Sequence, residues 1–130
     1  MKELVLEGLQ HLEEYLKELI PALQASAGRF RTGDEAGANQ IYAQCVEGLQ
    51  MVTDLVGKVR EAQAQGAVSQ KSLFLAHRDQ RLLDLLREMF HAQSEQDWVF
   101  LADLMEYELV PVLKEIQEEL PGARQAMAEA

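Results

Sequence analysis

The sequence predicts an all-α protein, an up-down-up-down antiparallel four-helix bundle. Three observations carry this reading. Apolar residues recur at alternating steps of four and three, the spacing of a packed helical seam, in separate stretches of the chain. Turn chemistry gathers at only three places, Arg31-Thr32-Gly33-Asp34, Gln65-Gly66-Ala67-Val68-Ser69 and Ser94-Glu95-Gln96-Asp97. No run alternates β-branched with polar residues as a half-buried strand would. Connections this short make successive helices antiparallel neighbours.

The first helix is expected over residues 2–30. Val5, Leu9, Leu12, Leu16, Leu19, Leu23 and Phe30 form its seam, and Glu3, Glu7, His11, Glu14 and Glu18 line the opposite face. The second, over 35–64, follows Asp34 and carries Ala38, Ile41, Cys45, Val52, Val56 and Val59. The third, over 70–93, follows Ser69 and places Leu75, Leu82, Leu86, Met89 and Phe90 on one side. The fourth, over 98–119, follows Asp97 and turns Trp98, Leu101, Met105, Val112 and Ile116 inward. Asp34, Ser69 and Asp97 are each placed to accept from the exposed N–H groups of the next first turn. Residues 1–122 read as one domain, and the tail 123–130 beyond Pro121-Gly122 is expected to fray. Shifting the second helix by sixty positions onto the fourth pairs Ile41 with Leu101, Cys45 with Met105, Leu49 with Leu109 and Val52 with Val112, and Phe30 and Phe90, which precede the two loops, also correspond. A duplicated hairpin produces such an echo, and so do any two amphipathic helices.

Composition narrows the function classes. The chain has 130 residues, of which 22 are acidic and 12 basic, for a net charge of -10. A surface of that sign repels phosphate backbones and anionic headgroups, so neither nucleic acid nor membrane is expected as a partner. The one cysteine, Cys45, has no partner for an internal disulfide, which favours a reducing cytoplasm. The opening stretch MKELVLEGLQHLEEYL puts acids where a signal peptide needs an apolar centre. No apolar run approaches the ~18 residues that span a bilayer.

Bundles often hold a carboxylate-bridged metal pair, which needs inward Glu residues and two inward Glu-x-x-His motifs. Glu88-Met89-Phe90-His91 matches one motif, but at ~100° per residue Glu88 and His91 share the polar side with His77, Arg81 and Asp84. No second motif exists, so no metal is expected, and Asp84, Glu88 and His91 remain only a surface set within reach of one ion. Ser26, Ser69, Ser72 and Ser94 have no His–acid pair at a supporting spacing, and Cys45 lies on an apolar seam. Gly28, Gly33 and Gly37 form no phosphate loop. Neither a catalytic residue nor a cofactor is expected.

Two features exceed what a plain bundle requires. Glu108 is placed between Met105 and Val112, inside the stripe that should be dry, just before Pro111. A buried carboxylate is costly unless paired or protonated, so Glu108 is either a ligand-binding group or a group that finds a partner across a kinked turn. Val99, Phe100, Tyr107 and Val110 lie opposite that stripe and make the fourth helix apolar nearly all round. Such a helix is covered either within its own chain or by another chain.

The segment DWVFLADLMEYELVPVL, Asp97 to Leu113, and the stretch Val46-Glu47-Gly48-Leu49 resemble segments of small helical proteins of Gram-positive bacteria that carry no assigned activity. The resemblance therefore implies no catalytic role. In size, acidity and helical content the chain is also similar to flagellin-type export chaperones, on shape alone. The sequence thus points to a non-enzymatic cytoplasmic bundle acting by protein–protein contact, a homodimer through Val99, Phe100, Tyr107 and Val110. The alternatives are a ligand- or metal-binding bundle centred on Glu108 and an export chaperone.

Overall fold

A computed structural model describes residues 2–66 and 78–129. Those residues form four rods and, among them, no strand. The first two helices are α1 (Lys2–Arg31) and α2 (Glu35–Ala64), and the third, α3, is described over Arg78–Ser94. The fourth, α4, is one rod in three parts: an α-helical segment Trp98–Asp103, a π-helical stretch Leu104–Leu109 and an α-helical segment Val110–Glu129. Helix α1 packs beside α2 and α4, and α3 packs beside the same two, so the rods stand at the corners of a square. This is the expected four-helix arrangement.

The two described interhelix turns close by the same chemistry. Gly33, at φ 87°, ends α1, and the Asp34 N–H reaches back to the Arg29 carbonyl at 2.9 Å. Gln96, at φ 55°, ends α3, and the Asp97 N–H reaches the Ala92 carbonyl at 2.9 Å. Each aspartate then turns forward: Asp34 Oδ1 accepts from the Gly37 N–H at 3.0 Å and Asp97 Oδ1 from the Phe100 N–H at 3.2 Å. A left-handed residue followed by a capping acid satisfies orphan carbonyls of one helix and an orphan N–H of the next. Ser69, Ser72, Leu75 and His77 lie outside the described residues.

The buried seam of α1 is the one expected, with Val5, Leu9, Leu12, Leu16, Leu19, Leu23 and Phe30 all in the core. In α2 the steps run from Ala38 through Tyr42, Cys45, Leu49, Val52 and Val56 to Val59. Tyr42 takes the inner place, and Ile41 is only half-buried. The inner face of α3 is Leu82, Leu85, Met89 and Ala92, so Leu86 is half-buried and Phe90, expected inside, stands at the surface. Phe90 is one residue past Met89, a rotation of ~100° that takes it off the inner face. Ser26, within α1, is buried and donates its hydroxyl to the Ala38 carbonyl at 2.9 Å, tying α1 to α2.

The tail does not fray where expected. The helix continues through the exposed Pro121 to Glu129, because Ala123 and Met127 extend the apolar stepping beyond Leu120 and are buried. Arg124 also reaches Glu13 of α1 at 3.3 Å. Proline removes a single helix bond, a loss that renewed packing offsets.

Candidate functional site

The π-helical stretch decides what α4 shows to the outside. The innermost row along α4 runs Leu101, Met105, Leu109, Leu113, Ile116, Leu120, Ala123 and Met127, with steps of 4, 4, 4, 3, 4, 3, 4, and Ala102, Leu104 and Val110 are buried beside it. Helix α2 keeps the regular 4, 3, 4, 3, 4, 3 from Ala38 to Val59. Matched at their capping aspartates, Ala38 and Tyr42 correspond to Leu101 and Met105, sixty-three positions on. After the π stretch, Cys45, Leu49, Val52 and Val56 correspond to Leu109, Leu113, Ile116 and Leu120, sixty-four on. One extra residue has been taken up, as in a single-turn π-bulge. The Val110 N–H bonds to the Met105 carbonyl, five residues back. Pro111 follows two residues after the stretch, and a widened turn relieves the clash its ring makes with the carbonyl four residues earlier. The echo at sixty positions therefore gives way to sixty-three and then sixty-four.

The extra residue overturns the placement of Glu108. It is not in the dry stripe but at the surface, where it pairs with Arg81 of α3. Leu109 takes the inner position instead. Val110 is likewise inside and buried, so it leaves the set of surface candidates. Val112 is half-buried, with Leu113 in the core beside it.

Val99, Phe100 and Tyr107 remain outside, 62%, 44% and 64% exposed. Beside them Arg31, the last residue of α1, gathers the neighbouring charges. Its Nη2 lies 2.9 Å from Asp103 Oδ1 and 2.8 Å from Glu106 Oε2, its Nε donates to Glu106 at 3.0 Å, and its guanidinium stands 5.3 Å from the Tyr107 ring centre. Hydrogen bonding to Asp103, and next to Glu106, pushes the Arg31 pKa up. On the inner side, Trp98 stacks on Phe30 with centroids 5.1 Å apart and planes 8° from parallel. The result is a surface with apolar side chains and, within one patch, both a cation and carboxylates.

The other candidates lie apart from it. Asp84, Glu88 and His91 are exposed on α3, and Asp84 accepts from Gln80 at 2.9 Å. Among the described residues no three His, Cys, Asp or Glu side chains are grouped to hold a metal ion. Cys45 is buried on the α2 seam, and burial pushes its thiol up to about 11. Tyr42 is pushed up to about 12, by burial first and then by Cys45. Among the described residues no helix is long and apolar enough to cross a membrane.

No curated protein and no solved structure matches the chain. A family model described as a domain of unknown function, DUF8042, matches residues 7–119, from the second turn of α1 to the last half of α4. That match covers most of the chain and all four helices, and the chain belongs to the DUF8042 family.

Proposed function

We propose that this domain is a non-enzymatic cytoplasmic bundle that works by protein–protein contact, as a two-fold homodimer through α4. The observation that carries the reading is the exposure of Val99, Phe100 and Tyr107 on one rod, with the Arg31 guanidinium over the Tyr107 ring. The chemistry beside them favours a second copy as the cover. A two-fold interface sets the same patch against itself, so a self-complementary patch needs both signs of charge. Arg31 supplies the cation, and Asp103 and Glu106 the carboxylates. A buried thiol at Cys45 is consistent with a reducing compartment and leaves no exposed nucleophile of that type among the described residues.

Substitution of the patch tests this. Phe100→Glu and Tyr107→Glu, at positions that contribute little to the core, are expected to leave the helical circular dichroism unchanged. They are expected to halve the mass measured by light scattering after size exclusion. Variants that keep the mass of the unmodified protein would contradict the proposal.

A further inference from the structure

A second surface, between α1 and α2, differs from the α4 patch in both shape and charge. A continuous groove runs between α1 and α2. One part, about 460 Å³, is bounded by Leu4, Gly8 and Leu55, and the adjoining part, about 280 Å³, by Gly8, Met51 and Tyr15. A further 200 Å³ extends it past Tyr15 to Ala22. On α1 the groove thus follows Leu4, Gly8, His11, Tyr15, Glu18 and Ala22, again steps of four and three. Eighteen residues at 1.5 Å each make it roughly 27 Å long, the length of a five-turn helix.

From Leu4 to Tyr15 its lining is apolar and partly open to solvent, with Leu4 72% and Met51 62% exposed, and toward Ala22 polar groups of Glu18 and Gln44 share the lining. Small residues shape its floor. A Cβ at Gly8 would stand 2.7 Å from the Leu55 side chain, and one at Gly48 would overlap the Tyr15 ring. The two glycines let Leu55 and Tyr15 lie flat across the helix pair. The walls carry one sign of charge in excess. Glu14, Glu18 and Glu61 line the groove and Glu47 acts on Tyr15 electrostatically, against Lys58 and the imidazole of His11.

We propose that this groove binds a basic amphipathic helix of a partner protein. The apolar stretch from Leu4 to Tyr15 takes the apolar face of a helix, with anchors one turn apart, and the glutamates along the groove and at its Ala22 end take its lysines and arginines. A second copy of this chain is the wrong occupant, since its net charge of -10 would meet walls of the same sign. The proposal does not depend on the α4 surface, and its test separates the two.

Three labelled 18-residue peptides serve as probes: one with leucines on a single helical face and lysines elsewhere, one of the same composition in scrambled order, and one with glutamates in place of the lysines. Fluorescence anisotropy is expected to show the ordered Leu/Lys peptide binding roughly tenfold or more tighter than either control, and more weakly as salt rises. Leu4→Glu with Met51→Glu is expected to cost about tenfold, and Phe100→Glu nothing. Glu14→Lys with Glu18→Lys, on exposed positions, keeps the test independent of the floor and is expected to shift preference toward the Leu/Glu peptide. Equal binding of the scrambled peptide, loss on Phe100→Glu instead of the groove variants, or an unchanged preference after charge reversal would overturn the proposal.

Discussion

Cys45 shows how one side chain reports the state of the whole core. Burial holds its thiol near 11 where an ordinary cysteine titrates at 9.0. A raised pKa in the folded state means stability that is fully present below pH 9 and is lost as pH rises through 11. Tyr42, pushed up to about 12 beside it, acts in the same direction at the top of that range. Denaturant midpoints are therefore expected to stay level from pH 7 to 9 and to fall above it, with a Cys45→Ala, Tyr42→Phe double variant flattening the fall. A thiol reagent at pH 8 is expected to label Cys45 only at the rate of unfolding; immediate labelling of the native protein would contradict the burial. Cys45's inner position is read directly from the sequence. Tyr42's is not, because Ile41 satisfies the same seam and the polar tip of a tyrosine argues for the outside.

At the scale of the element, α4 holds the difference between what sequence and structure reveal. Four and three steps predict α1 and most of α2 because nothing interrupts them. In α4 the same rule offers two seams after Met105, one through Glu108 and Val112 and one through Leu109 and Leu113, and unbroken α-helical counting selects the first. The structure takes the second by absorbing one residue in the π stretch, which removes an acid from the core. The signal is Glu108 itself, a carboxylate in a dry place, together with Pro111 immediately beyond. Phe90 is misplaced for a similar reason: Leu85 and Leu86 both fit the face of α3, and choosing Leu86 drags Phe90 inward. Deleting Tyr107 is expected to restore steps of 4, 3, 4, 3 from Leu101 through Leu109, Leu113 and Ile116. Urea denaturation followed by circular dichroism is expected to show that variant folded, within about 2 kcal/mol of the unmodified chain. Deleting Lys114 from the regular segment throws Ile116, Leu120 and Met127 off the core and is expected to cost more than ~4 kcal/mol. Equal costs for the two deletions would show that the π stretch holds no surplus residue.

For the whole molecule, two surfaces with opposite electrostatic behaviour share one bundle. The α4 patch mixes Arg31 with Asp103 and Glu106 around exposed aromatic side chains, while the α1/α2 groove is walled chiefly by glutamates. Architecture was legible in the sequence because it follows from the spacing of apolar residues. The surfaces were only half legible: Val99, Phe100 and Tyr107 follow from the wheel, but Val110 required the π register. The groove required two helices to be brought together, with Gly8 and Gly48 setting how side chains cross between them. Neither glycine has a signature in a single helix.

Association of two copies through α4 is open to sedimentation equilibrium of the unmodified chain over a range of concentrations and salt. Each copy carries a net charge of -10, so screening relieves repulsion between them. A dimer through α4 gives a monomer–dimer equilibrium that shifts toward the dimer as salt is raised. A single species of 14.7 kDa at every concentration and salt would contradict it.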